Sequence, residues 1–198
     1  CRDILLKSKI LKSGDCIVND RGFISREIMN TLKIDKKVDT YIPAKMNMTI
    51  YEEAVSIANA EDNWHAHPNK KRTTQEIQLV KNLGPFWGSD ELQKDVDINA
   101  CVVHDKKDDE YYVFLTTDLD KTAKQIINTY ELSPEIEEHF RQIKDFWKLE
   151  DFKSTKYKFI VFHIVMTLIG YMYFQLYKNM EEGRKYSKKS LPVAIKKY

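Results

Sequence analysis

Nineteen consecutive residues, Phe159 to Tyr177, contain no Lys, Arg, Asp or Glu. A run of that length and polarity has two physical homes, a protein interior or a lipid bilayer. Within it His163, Thr167 and Gly170 recur at i, i+4 and i+7, a polar or small seam, and six Phe and Tyr residues make the remainder bulky. Lysines flank both ends (Lys156, Lys158 and Lys178) and set no orientation across a membrane. The seam suits a helix surrounded by protein, so the expectation is a buried core helix, with membrane association through 159–177 as the alternative. A core is within reach: the chain has 198 residues, 42% hydrophobic and 31% charged, with only 6 Gly and 5 Pro. Disorder, collagen-like repeats and a disulfide-stapled miniprotein are excluded on the same figures.

The 32 Lys and Arg stand against 30 Asp and Glu, a net charge of +2, so any affinity for nucleic acid has to be local. Two places qualify. Asn69-Lys70-Lys71-Arg72 reads as a solvated loop that would also suit a DNA-facing edge. Arg184 to Tyr198 carries six Lys and Arg and no acid, the composition of a solvated arm able to touch phosphates. Cys1, Cys16 and Cys101 are widely spaced with no CxxC pair, which fits a reducing compartment and free thiols. The first residue is Cys1, without a signal-peptide pattern after it, and the expectation is a piece of something longer.

Along the chain, Asp3 to Leu11 reads as a short helix, and Cys16 to Asn19 as a strand ending at Asp20. Arg21-Gly22 then turns into a helix in which Ile24, Ile28 and Leu32 share one face. Val38 to Pro43 reads as a second strand. From Lys45 to Glu110 the pattern is mostly β, with Trp64, Trp87 and a polar His65-Ala66-His67 stretch that reads as solvated rather than metal-binding. Val96 to Val103 and Tyr111 to Thr117 make a hairpin across a charged turn. After Lys121 the period is helical. Ser133-Pro134-Glu135 marks a helix start, and Ile136, Phe140, Ile143 and Trp147 mark its buried stripe. At about 100° per residue, Glu137, Arg141 and Lys144 fall together on a polar strip beside that stripe.

Asp20, at a strand end, and Glu137, on a helix, are the outstanding carboxylates, because rigid mounts of that kind hold ligands for a hard divalent cation. Tyr130, two residues, Ser133, three residues, Glu137, six residues and Lys144 together resemble the Y-R-E-K signature of bacterial insertion-sequence transposases of the insertion-sequence-four type, with Ser133 in place of Arg. Asp20-Arg21-Gly22-Phe23 is similar to the segment around that family's second catalytic aspartate, and Tyr112 to Thr117 to the strand before the signature helix.

The resemblance implies an α/β fold: a ribonuclease H-like core, incomplete at its N-terminus, with a β-rich insertion. The implied division is 1–44 for partial core, 45–117 for insertion, 118–180 for the core's C-terminal helices and 181–198 for a basic tail. It implies magnesium (Mg2+, or Mn2+) held by Asp20 and Glu137, and cutting and rejoining of transposon ends and target DNA. Tyr130, Ser133, Arg141 and Lys144 would contact DNA, and Trp64 or Trp87 would stack on a flipped base. It also implies a dimer on DNA for the full-length protein, no small-molecule substrate, and a cytoplasmic, nucleoid-associated location. Ser133 cannot make the forked contact of an Arg. The family's first aspartate lies on an earlier strand, whereas here only Asp3, at a helix start, and Asp15, in a turn, precede Asp20. The expectation is therefore a truncated catalytic domain, inactive alone, with a non-catalytic DNA-binding remnant as the alternative.

Overall fold

The computed structural model describes residues 2–83 and 96–184, so Cys1, Trp87 and the Lys-rich end from 185 lie outside the described residues. The chain divides into two units, Cys1–Ser133 and Pro134–Tyr198.

In the first unit, β1 (Cys16–Val18), β2 (Asp39–Pro43), β3 (His65–Ala66), β4 (Gln75–Leu83), β5 (Ile98–Asp105) and β6 (Glu110–Thr116) form one sheet in the order β1-β2-β6-β5-β4-β3. β1 and β2 are parallel, and the other neighbours are antiparallel. A parallel pair requires a crossover. Here it runs through a 3-10 turn (Arg21–Phe23), α2 (Arg26–Asn30) and a widened turn (Thr31–Asp35), with α1 (Arg2–Lys7) preceding β1. The helix expected from Phe23 to Leu32 is thus interrupted. Ile28 and Leu32 are buried as their spacing predicts, while Ile24 lies before α2 in extended backbone. Gly14 makes the turn into β1 at φ +89°, a left-handed conformation that favours glycine, and its N–H donates to the Lys37 carbonyl at 2.9 Å.

The hairpin of β5 and β6 forms in continuous register from Asn99↔Thr116 to Asp105↔Glu110. The stretch 45–117 also contains a helix that the β-dominated reading lacks, α3 (Thr49–Glu61), whose buried line is Ile50, Ala54 and Ala58. Two of those three residues are alanines, so the helix packs closely while offering little apolar signal. One sheet face, with Ile42, Val102 and Leu115, packs on α3 and on Met29 of α2. The opposite face, with Tyr41, Cys101 and Val103, packs on Ile126 and Ile127 of α4 (Ala123–Tyr130). A capping box starts α4: Thr122 Oγ1 accepts from Gln125 N–H at 3.3 Å, and Gln125 Oε1 accepts from Thr122 N–H at 3.0 Å.

α5 (Ser133–Asp145) opens at the expected start signal on the last residue of the first unit and continues into the second, where α6 (Tyr157–Asn179) contains the uncharged run. The predicted stripe of α5 holds at Ile143, which is buried, and at Trp147, whose ring meets Tyr171 and Phe174. It fails at Phe140, which is 60% exposed, because His139 turns toward α6 instead and hydrogen-bonds the Tyr171 hydroxyl. The packed line is therefore 139, 143 and 147, rotated by a fraction of a turn from the expected one.

α6 is not the enclosed core helix expected from its composition. Only Thr167 and Tyr171 on it are buried, and Phe159, Phe162, Met172 and Tyr173 are exposed. The small-residue seam does what small residues do. Gly170 lies under the Trp147 ring, where a Cβ would come within 2.8 Å of Cζ3, and His163 Nε2 bonds the Lys148 carbonyl at 3.1 Å. One seam is covered by neighbouring protein, while among the described residues most of the rest of the circumference is exposed. By length and composition α6 is also long and apolar enough to cross a membrane.

Candidate active site

Asp20 is positioned by the end of β1. Val18 pairs with Tyr41, and Asn19 continues the ladder by donating to the Tyr41 carbonyl at 2.9 Å. Asp20 follows in extended backbone (φ −72°, ψ 154°), and its carbonyl accepts from Phe23 N–H at 2.9 Å, which closes the turn. The side chain is exposed and does not cap the helical turn that it precedes. Among the described residues none forms an ion pair or hydrogen bond with the carboxylate.

Tyr130 reaches the same end of the sheet by another route. Pro43, two residues beyond Tyr41 on β2, pairs with Phe114 of β6, and the Tyr130 ring packs on Phe114 at 4.5 Å between centroids. The C-terminus of α4 is thereby held near the strand ends that carry Asp20. Glu131, the next residue, is tied to the loop between β3 and β4. Its Oε1 lies 2.9 Å from Arg72 Nε and 3.8 Å from His67 Nε2.

His67 contradicts the reading of a solvated HxH pair: its side chain is fully buried, whereas His65 is exposed. The reason is local, since His67 N–H donates to the Gln75 carbonyl and its Nδ1 accepts from Asn69 N–H, folding the ring under the loop. Accepting at Nδ1 leaves the proton of the neutral ring on Nε2, facing Glu131. Burial holds the imidazole below its ordinary range; Glu131 opposes that shift and Arg72 assists it.

In the second unit, Glu137 lies on the first half of α5, exposed, and among the described residues it too has no partner. Its neighbours differ. Glu138 takes Arg141 bidentately, at 2.8 and 2.7 Å, and also accepts from Gln142. These bonds, that of Arg141 first, lower its carboxyl to about 2. Arg141 also lies 3.5 Å from Asp145, and Lys144 Nζ bonds Glu150 at 2.8 Å. The expected cations are therefore exposed but engaged by acids of their own unit. Ser133 opens α5, and its side chain lies outside what is described.

Trp64 is half-buried against the α3 side of the sheet, with its ring 5.7 Å from His104 and 6.4 Å from Tyr111. A cavity of about 500 Å³ opens between β3, β4 and the start of α4, lined by His65, Ile77, Leu79 and Lys124. It lies at the β3 edge of the sheet, opposite the β1 edge where Asp20 sits. The link from His67 and Arg72 to Glu131 has no signature in the sequence. Nothing local signals a partnership across some sixty residues, and the HxH and basic runs are the only marks it leaves.

A family model described as a transposase DDE domain matches residues 2–173, and the chain belongs to that family. The match contains Asp20, Tyr130, Ser133, Glu137, Arg141 and Lys144. No curated protein and no solved structure matches the chain. Membership points to transposition, with DNA as partner, and such transposases generally use a divalent metal. The donors fit a hard cation in kind, since Asp20 and Glu137 each offer a carboxylate with no partner among the described residues. No cluster of three or more His, Cys, Asp or Glu side chains suited to a metal occurs among the described residues.

Proposed function

We propose that this chain is a transposase of the insertion-sequence-four type, cutting DNA ends and joining them to a target, with Asp20 and Glu137 as its acidic residues. The observation that carries the reading is that, among the described residues, these two exposed carboxylates have no partner while adjacent charged groups on α5 are paired. The parallel β1–α2–β2 crossover supports a ribonuclease H-like core. Asp20 and Glu137 would hold magnesium or manganese, which when bound activates the attacking oxygen and stabilises the leaving one. Tyr130, braced by Phe114, would contact a DNA end. Arg141 and Lys144 exchange exposed intramolecular acids for phosphates, at small cost because such pairs contribute little in water.

The test is a strand-cleavage and strand-transfer assay with the full chain and an end-labelled duplex spanning the boundary of the element that encodes it. Salt-sensitive binding without nicking is the expected result for a chain inactive alone, and magnesium-dependent nicking that falls to background in both Asp20→Asn and Glu137→Gln would overturn that expectation while assigning cleavage to these two acids. Binding that magnesium does not alter and that both variants leave unchanged would make the chain a non-catalytic DNA-binding protein. The bare apolar surface of α6 supports a second reading, membrane association through Tyr157–Asn179. Retention in the pellet after alkaline carbonate extraction is what that reading requires, and release is what the transposase reading requires.

A further inference from the structure

We infer that the loop Asn69–Arg72 between β3 and β4 is a phosphodiester-binding surface, with Arg72 as its preorganised element and Lys70 and Lys71 beside it. The inference rests on the reading of DNA as substrate and adds where on the first unit the backbone is gripped.

A solvated basic loop needs no anchor, yet this one is fastened at several points. Asn69 N–H donates to His67 Nδ1 at 3.1 Å, Lys71 N–H to Asn69 Oδ1 at 3.1 Å, and Arg72 N–H to the Asn69 carbonyl at 2.9 Å. The anchor beneath them is the fully buried His67 ring. The guanidinium is fixed from two sides, by Glu131 Oε1 at 2.9 Å from Nε and Gln75 Oε1 at 3.1 Å from NH1.

Of the five N–H donors of an arginine, one NH1 hydrogen goes to Gln75 and Nε faces Glu131, which leaves further donors on a half-exposed side chain. A guanidinium already held in one orientation loses less freedom when it takes a phosphate, and that interaction is charge-assisted. Lys70 and Lys71 are exposed, and among the described residues neither ammonium group has a partner. Two acids back this cluster, Glu131 at Arg72 and Asp105, which accepts from Gln75 at 2.9 Å; Glu131 immediately follows Tyr130, so the loop is joined to the segment that opens the signature.

The experiment is fluorescence anisotropy of the full chain on duplex DNA between low and physiological salt. Lys70→Gln with Lys71→Gln removes two exposed charges, and the slope of log K against log[salt] should fall by about 1.8, or about 0.9 for each phosphate that is no longer neutralised. Lys9→Gln with Lys12→Gln, also exposed and equal in charge, should leave it nearly unchanged. Glu131→Gln is the sharper arm. It makes the protein more positive, so charge alone predicts tighter binding, whereas release of Arg72 from its anchor predicts several-fold weaker binding. Unfolding curves on the same samples separate weakened binding from loss of fold. A wild-type chain that binds DNA while the loop pair matches its slope, or while the control pair falls as far, overturns the inference. A wild-type chain that binds no DNA overturns the DNA reading itself, and the loop surface with it.

Discussion

β5 and α6 are both apolar runs, but their fates differ. In β5 the six residues Ile98 to Val103 are all buried, whereas the 23-residue α6 buries only Thr167 and Tyr171. β5 lies between β4 and β6 with α3 and α4 on its two faces, so every direction around it is occupied. α6 meets α5 and the segment after it along a single seam. Apolarity therefore measures how much surface needs covering, and the number of neighbouring elements decides how much is covered.

That contrast is open to direct attack. The largest effect is expected at Leu115, fully buried on β6 opposite Ala100 of β5. Leu115→Ala should cost about 2–5 kcal/mol in denaturant unfolding, while Met172→Ala, at an α6 position that is 62% exposed, should change stability by less than about 0.5 kcal/mol. Equal losses at the two sites would remove the contrast. Next comes the seam itself. Gly170→Val forces the Trp147 ring to move and should cost about 1–3 kcal/mol, read as faster amide exchange confined to α5 and α6. Unchanged exchange would mean that the seam is not what holds this pair.

A smaller effect depends on pH. Burial lowers the folded-state pKa of His67, so the unfolded chain binds the proton more readily. The histidine's contribution is then fully present above the unfolded value of about 6.5 and is lost as pH falls below it toward the folded value. His67→Gln should flatten that part of the stability profile, and an unaltered slope would assign the titration elsewhere. Smallest of all is Arg141→Ala, since its partners Glu138 and Asp145 are as exposed as it is. Its unfolding curve should overlay that of the wild type even where DNA binding weakens.

Much of the first unit is legible in the sequence because its signals are local. Cys16 to Asp20, Val38 to Pro43 and the β5–β6 hairpin are short β-branched and aromatic runs bounded by turn residues, and each forms within a residue or two of expectation. α3 escapes such a reading because Ala54 and Ala58 give the right spacing but little apolar weight. Phe140 falls off the expected stripe because periodicity fixes a stripe only to within a residue, and His139 takes the Tyr171 hydroxyl instead. The burial of His67 lies beyond local reading altogether, since it depends on Glu131 and on the loop folding back over the ring. Asp20 and Glu137 stand out by spacing, and the structure adds that neither is engaged by another described side chain.

The central proposal, that these two carboxylates would serve one metal-dependent site, is tested by site-directed oxidative cleavage without relying on turnover. With Fe2+ in place of magnesium, together with ascorbate and peroxide, the backbone should be cut near both Asp20 and Glu137. Both sets of fragments should vanish in either Asp20→Asn or Glu137→Gln. Fragments at only one acid, or fragments at one that persist when the other is replaced, would contradict the account.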